Sequence, residues 1–398
     1  TASNGVAVGN NALLNNTTGA NNTAIGSQSL LTNTTGGSNI GIGVAALYGN
    51  TSGGNNVGIG NSALFSNTTA SNNTALGYFA LYSNTTGTRN TAVGSPALDA
   101  NTTGNSNSAF GSSALGTNST GASNCAFGTG NLASNSTGDN NTGFGTSALN
   151  QNSTGAANTA IGSIALDAAT TANYNVAVGY ASLSSTTTGT QNVATGTSSL
   201  FNNTTGNDNT AFGHEALFAS TTASNNTAVG KGALTANTTG TSNTSVGAFA
   251  LDACTTGNEN TAVGYTALGN ITTAGFCTAV GVAALRNNTS GANNSALGRD
   301  ALIANTTANN VTGIGFHALM SNTSGHNNVA VGASALDANT TGFDNVAVGT
   351  ESQGSNVTGT SNTSMGFDSL KNNTTAESNT GIGRAALFGC TTGPRNTA

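Results

Sequence analysis

The chain of 398 residues carries only 5% charged residues, a formal net charge of -6 and no Trp. So thin a charge leaves no electrostatic footprint for nucleic acid or a charged membrane surface, and the absence of any run of 18 apolar residues excludes a hydrophobic spanning helix. Gly, Asn, Thr, Ser and Ala dominate, a composition that would read as low-complexity and disordered if its order were ignored.

The order rejects that reading. Gly9 closes a short segment, Val-Ala-Val-Gly, that returns as Thr-Ala-Ile-Gly at Gly26 and continues through Gly43 and Gly60 to Gly366 and Gly383: 23 glycines, each seventeen residues after the last. Counting position 1 at Asn22, the consensus is N-T-A-V-G-x-x-A-L-x-x-N-T-T-G-x-x. Positions 1 to 5 predict a strand, with positions 2 and 4 on one face and 1, 3 and 5 on the other. Position 4 is Val, Ile, Leu, Phe or Met except at Thr195, position 3 is always Ala, Gly or Ser, and position 5 is always Gly. The expectation is that position 4 fills the core while the small face is approached closely by backbone or by a neighbour, its Ala and Gly ranks allowing copies of the chain to pack laterally.

Next along the repeat, position 9 is Leu in every copy but that of Gln353, a second core rank. Positions 12 to 15, N-T-T-G, predict an exposed turn. Helical periodicity is absent, and Gly, Asn and Thr are poor helix formers. One copy cannot bury enough apolar surface to offset the entropy of ordering its residues, so copies must stack as coils. The fold expected is an all-β parallel β-solenoid, or β-roll, of about 23 seventeen-residue coils running through 1–398 as one domain without linker. Asn at position 1 has two roles open to it, an amide ladder between coils or a turn-forming residue. All 20 charged residues, the three His and both Pro fall at positions 6, 7, 10, 11, 16 or 17, which marks these as solvent-facing corners.

Sites of chemistry are scarce. The Gly-Ile-Gly triplets at Gly41 and Gly58 lack the helix and partner residues of a phosphate loop. His214 and Glu215, and His317 and His326, fall on different corners rather than converging. Cys254 and Cys390 share position 12 but lie eight coils apart, roughly 38 Å at about 4.8 Å per coil, so a bridge is out of reach. Cys125 and Cys277 occupy other positions, and free thiols are expected. No catalytic residue, metal or cofactor is expected. Asn16, Asn33, Asn67, Asn84 and Asn101 begin N-T-T sequons in the predicted turn and are candidate glycan acceptors. Aromatics recur at position 10 (Tyr48, Phe65, Tyr82) and position 6 (Tyr78, Tyr180, Tyr265), and are read as a structural rim ahead of a receptor surface.

The N-[TV]-A-[VI]-G unit, as in Asn-Val-Ala-Val-Gly at Asn175, Asn328 and Asn345, resembles the head repeats of trimeric autotransporter adhesins. The full cycle is similar also to tail-fibre-like bacterial and phage surface proteins. That resemblance implies a left-handed parallel β-roll, a homotrimer or continuing filament, and an extracellular or cell-surface location, with a glycan or protein receptor on a host or surface. The function expected is an extracellular structural or adhesive fibre segment, not an enzyme. The alternative is a flat Thr/Asn surface for ice or a glycan lattice, suggested by the unbroken Thr/Ser rank at position 14.

Overall fold

The computed structural model describes residues 4–398. Its strands, β1 (Val6–Val8) and β2 (Thr23–Ile25) onward to β23 (Thr380–Ile382), are each three residues long and occupy positions 2 to 4 of their rungs. No helix occurs among the described residues. Two compact units, Thr1–Thr205 and Gly206–Ala398, are built from this same rung. The first ends its strands at β12 (Val193–Thr195), and the second begins at β13 (Thr210–Phe212). Within each unit successive strands pair in parallel one repeat apart, Ala7 opposite Ala24 and Ala330 opposite Ala347. This is a parallel β-solenoid, with like residue over like as the invariant spacing requires.

Hydrogen bonding between rungs is not confined to the strands. Leu30 N–H donates to Ala46 carbonyl at 3.0 Å and Thr34 N–H to Thr51 carbonyl at 2.9 Å, so turn segments stack as well. An inserted residue would break every such bond on its rung. Position 5 must be Gly on two grounds: its φ lies near +130°, as at Gly26, and a Cβ there would meet the Gly43 carbonyl oxygen at 2.4 Å.

Which side of the strand faces inward differs from the sequence expectation. The small residues of position 3, such as Ala24, Ala92 and Ala177, are fully buried, whereas position 4 points outward. The interior holds positions 1, 3, 8, 9, 12 and 15. Its narrowness is the cause. A Cβ built on Gly58 meets Leu47 Cγ at 3.3 Å and the Ala63 carbonyl oxygen at 3.2 Å, so the Leu rank already fills the space opposite the strand. A Val or Phe facing inward would overpack it. The expectation that Ala and Gly ranks serve contact between chains is corrected by the same burial.

The Leu rank is held in an uncommon backbone state. Leu30, Leu47 and Leu64 have φ of 52°, 54° and 55°, in the left-handed region. That region costs a side-chain-bearing residue about 1–2 kcal/mol, against about 2–3 kcal/mol gained by fully burying Leu. Burial wins by a small margin. Position 7 is left-handed too, as at Gln28 with φ 61°, where it turns the chain so that Ser29 N–H reaches the Gly26 carbonyl at 3.3 Å.

Two Asn ranks complete the interior. At position 12, Asn33 Nδ2 donates to Asn16 Oδ1 at 2.8 Å and to the Gly36 carbonyl at 2.9 Å, and the pattern repeats rung by rung to Asn152. At position 1, Asn22 Nδ2 donates to the Gly36 carbonyl at 2.8 Å, closing its own rung, while its Oδ1 accepts the backbone N–H of Asn39 at 2.9 Å. Position 1 therefore closes the rung and links it to the next, and it does so from the interior. N-T-T-G is thus only half an exposed turn. Its Asn and Gly face inward, and its first Thr hydroxyl donates to the next rung, as Thr34 Oγ1 does to Thr51 carbonyl at 3.0 Å.

Candidate functional site

The most distinctive surface is the outward strand face. Twenty-two of the 23 residues at position 4 are apolar; none is buried, and ten are among the most exposed large apolar residues, including Ile161 at 42%, Leu297 at 50% and Phe212 at 57%. Strand alternation places position 2 beside them, with Thr, Val, Ile, Ser or Cys there. In the first unit Phe110, Phe127 and Phe144 stack down this face with ring centroids 4.4 and 4.7 Å apart and planes within 7°. The in-register pairing forces this column, because each position 4 lies above the last. Each unit thus carries an apolar stripe beside a mixed rank of hydroxyl and aliphatic side chains.

The turn side is decorated more variously. Tyr48, Phe65 and Tyr82 stack at position 10 with centroids 4.9 and 5.1 Å apart, as a structural rim would. Phe79, at position 7, meets Tyr82 edge-on at 85° and 4.7 Å, a ring outside the position 6 and position 10 aromatic ranks. Position 14 hydroxyls such as Thr35 and Thr69 face solvent, but the neighbouring position 13 hydroxyls are turned to backbone. A single free Thr rank results, and both Asn ranks lie inside.

The titratable residues form local pairs. His214 Nδ1 lies 3.6 Å from Glu215, and His317 Nε2 lies 3.6 Å from Asp300. His326 instead stacks on Phe343 at 5.0 Å, away from His317 as expected. Lys371 bridges Asp368, at 2.9 Å, and Glu351. Among the described residues no group of three or more His, Cys, Asp or Glu is arranged to hold a metal ion. All four cysteines are free; burial lifts the Cys254 thiol to about 11 and raises Cys277 above the ordinary thiol range. Cys277, replacing Asn at position 1, even keeps the rung-closing contact, Sγ to the Gly291 carbonyl at 3.3 Å. Burial likewise pushes the carboxyls of Asp99, Asp252 and Asp337, all at position 10, above their usual value.

The five candidate glycan acceptors are not on an exposed turn. Asn33, Asn67, Asn84 and Asn101 are fully buried, with both Nδ2 hydrogens engaged, and Asn16 is half buried at the start of the same column.

The rung geometry defines a β-solenoid repeat protein. No protein-family model matches the chain, and no curated protein matches it. No helix among the described residues is long and apolar enough to cross a membrane.

Proposed function

We propose that the chain is a structural segment of an extracellular fibre, adhesive or scaffolding in role and without catalysis. Its copies pack side by side through their outward strand faces, as a homotrimer or a continuing filament. The observation that carries the reading is the apolar position 4 rank, because monomers rarely leave so long a stripe in water. Each rung holds about a third of an apolar side chain still to be buried, on the order of 0.5–1 kcal/mol. Repetition makes the stripe complementary to itself, and eleven rungs offer about 5–10 kcal/mol before the costs of association. Surface location and an adhesive role are supported by the resemblance of the repeat to adhesin heads and fibre proteins. A glycan or protein receptor would meet the variable turn side.

Sedimentation equilibrium tests the packing. The chain is expected to run as an oligomer, and Ile161→Lys with Val178→Lys in adjoining rungs to shift it toward monomer with unchanged circular dichroism. A wild-type chain that stays monomeric at about 100 μM, where contacts weaker than about 5 kcal/mol leave partners apart, would overturn it. The ice or glycan-lattice reading keeps the solvent-facing Thr rank of position 14 but loses its Asn ranks to the interior. Thermal hysteresis above that of an unrelated control would revive it.

A further inference from the structure

A groove of about 320 Å³ opens on the turn side of the first unit, lined by Phe79, Tyr82, Pro96 and Asp99. These are positions 7 and 10 of two successive rungs, away from the strand face. The position 10 column runs Tyr48, Phe65, Tyr82 and then changes character: the next rung offers Asp99 and the one after it Gly116. On the side away from Phe65, the column beyond Tyr82 therefore continues with a carboxyl group instead of a ring. Phe79 stands perpendicular to Tyr82, so two aromatic surfaces and the Pro96 ring wall the space. Gly116 keeps the far side low, since a Cβ there would come within 3.7 Å of Asp99 Oδ1.

Asp99 has no cationic neighbour. It enters no ion pair, and Arg89, the one Lys or Arg between residues 1 and 205, stands at position 17. A half-buried carboxylate facing aromatic walls favours positive charge on two counts: the ring faces are electron-rich, and the carboxylate is uncompensated. Anions are repelled. The Tyr82 hydroxyl is the only side-chain hydrogen-bond donor on the lining, too few to fix the many hydroxyls of a sugar ring. A weakly hydrated cation with an apolar surface needs no directed donors.

We infer that this groove binds an alkylated ammonium group, seated against Tyr82 and Phe79 and balanced by Asp99. The inference goes beyond the fibre reading and does not depend on it. The group could be borne by a small molecule or by a methylated lysine side chain of a partner, and the two sources are separable by probe.

The test titrates the full chain, by calorimetry and by NMR, with choline, with its neutral isostere 3,3-dimethylbutan-1-ol, and with a trimethyllysine peptide. Choline is expected to bind at least fivefold more tightly than the neutral isostere. Asp99→Asn and Tyr82→Leu should each weaken it roughly fivefold to tenfold, with circular dichroism unchanged. Asp167→Asn, at the same position on a rung that follows Asn150 in place of a ring, should leave binding as it was. Tighter binding of the peptide than of choline assigns the site to a partner side chain, and the reverse assigns it to a free small molecule. Equal affinity for the neutral isostere, indifference to Asp99→Asn, or no response to 10 mM of either cation would overturn the inference.

Discussion

Asn131 and Gly143 allow the narrowness of the coil interior to be measured. Position 8 is Ala or Ser in every other rung, but Asn131 occupies it above Gly143, position 3 of the following rung. A Cβ on Gly143 would lie 2.1 Å from Asn131 Oδ1 and 2.8 Å from its Cγ. Gly143→Ala must therefore displace a fully buried side chain and break the bond from Asn131 Nδ2 to the Gly145 carbonyl, 2.9 Å long. Overpacking of this kind costs about 1–3 kcal/mol, and the lost hydrogen bond adds about 1. Asn131→Ala alone should be close to neutral: it loses that bond but also removes Oδ1, a buried acceptor with no partner. Together the two substitutions restore Ala over Ala, the arrangement of Ala114 and Ala126, and should equal or exceed the wild type. The coupling expected is on the order of 2 kcal/mol. Because a repeat array need not unfold in one step, the assay is hydrogen exchange of the strand amides of Thr142–Phe144, which reports local opening. A Gly143→Ala loss of the same size in the Asn131→Ala background would refute the reasoning.

Other outcomes follow from the same interior. Asn152 Oδ1 has no partner because Ala169 occupies position 12 of the next rung; Ala169→Asn should extend the column and stabilise the first unit by about 1–2 kcal/mol, measured by local hydrogen exchange, and a loss of protection would count against the ladder as a source of stability. In the second unit Gln353 replaces the core Leu and leaves Oε1 unpartnered beside Ser352 and Ser364; Gln353→Leu with Ser364→Ala should stabilise by about 1–2 kcal/mol, and a lowered urea midpoint would contradict it. Burial raises the Asp99 carboxyl above its unfolded value, so its charged form opposes folding and the cost grows as pH rises through the raised value. Asp99→Asn should therefore be the more stable at pH 7, with the gap to wild type closing below about pH 4, where both states are protonated; a less stable Asp99→Asn at pH 7 would show that the carboxylate contributes more than it costs.

The period, the parallel register and the solvent-facing corners were legible in the sequence because stacking repeats one environment at each position. The invariant spacing of Gly9 to Gly383 and a Leu rank broken only at Gln353 required that geometry, and the charged residues could sit only where water reaches them. Orientation of the strand was not legible from residue size. Val and Ile at position 4 are larger than Ala at position 3, yet the Leu on the opposite wall leaves room only for the smaller. The signal that carried the answer was the narrow range at position 3, since a face open to solvent tolerates variety. The Asn of N-T-T-G was misplaced for a related reason: its turn chemistry is common, and its burial follows from sharing the Gly36 carbonyl with the Asn of position 1. The Phe79 and Asp99 groove escaped because its walls belong to neighbouring rungs, seventeen and twenty residues apart.

The amide column from Asn16 to Asn152 has a sense of direction. Every side-chain nitrogen along it donates toward the lower-numbered rung, so the dipoles add head to tail and polarise one another. Like a magnetised needle, the stack holds positive potential at its early end and negative at Asn152. Neighbouring copies would feel that polarity as a preference in how they align, one that no charged side chain has to supply.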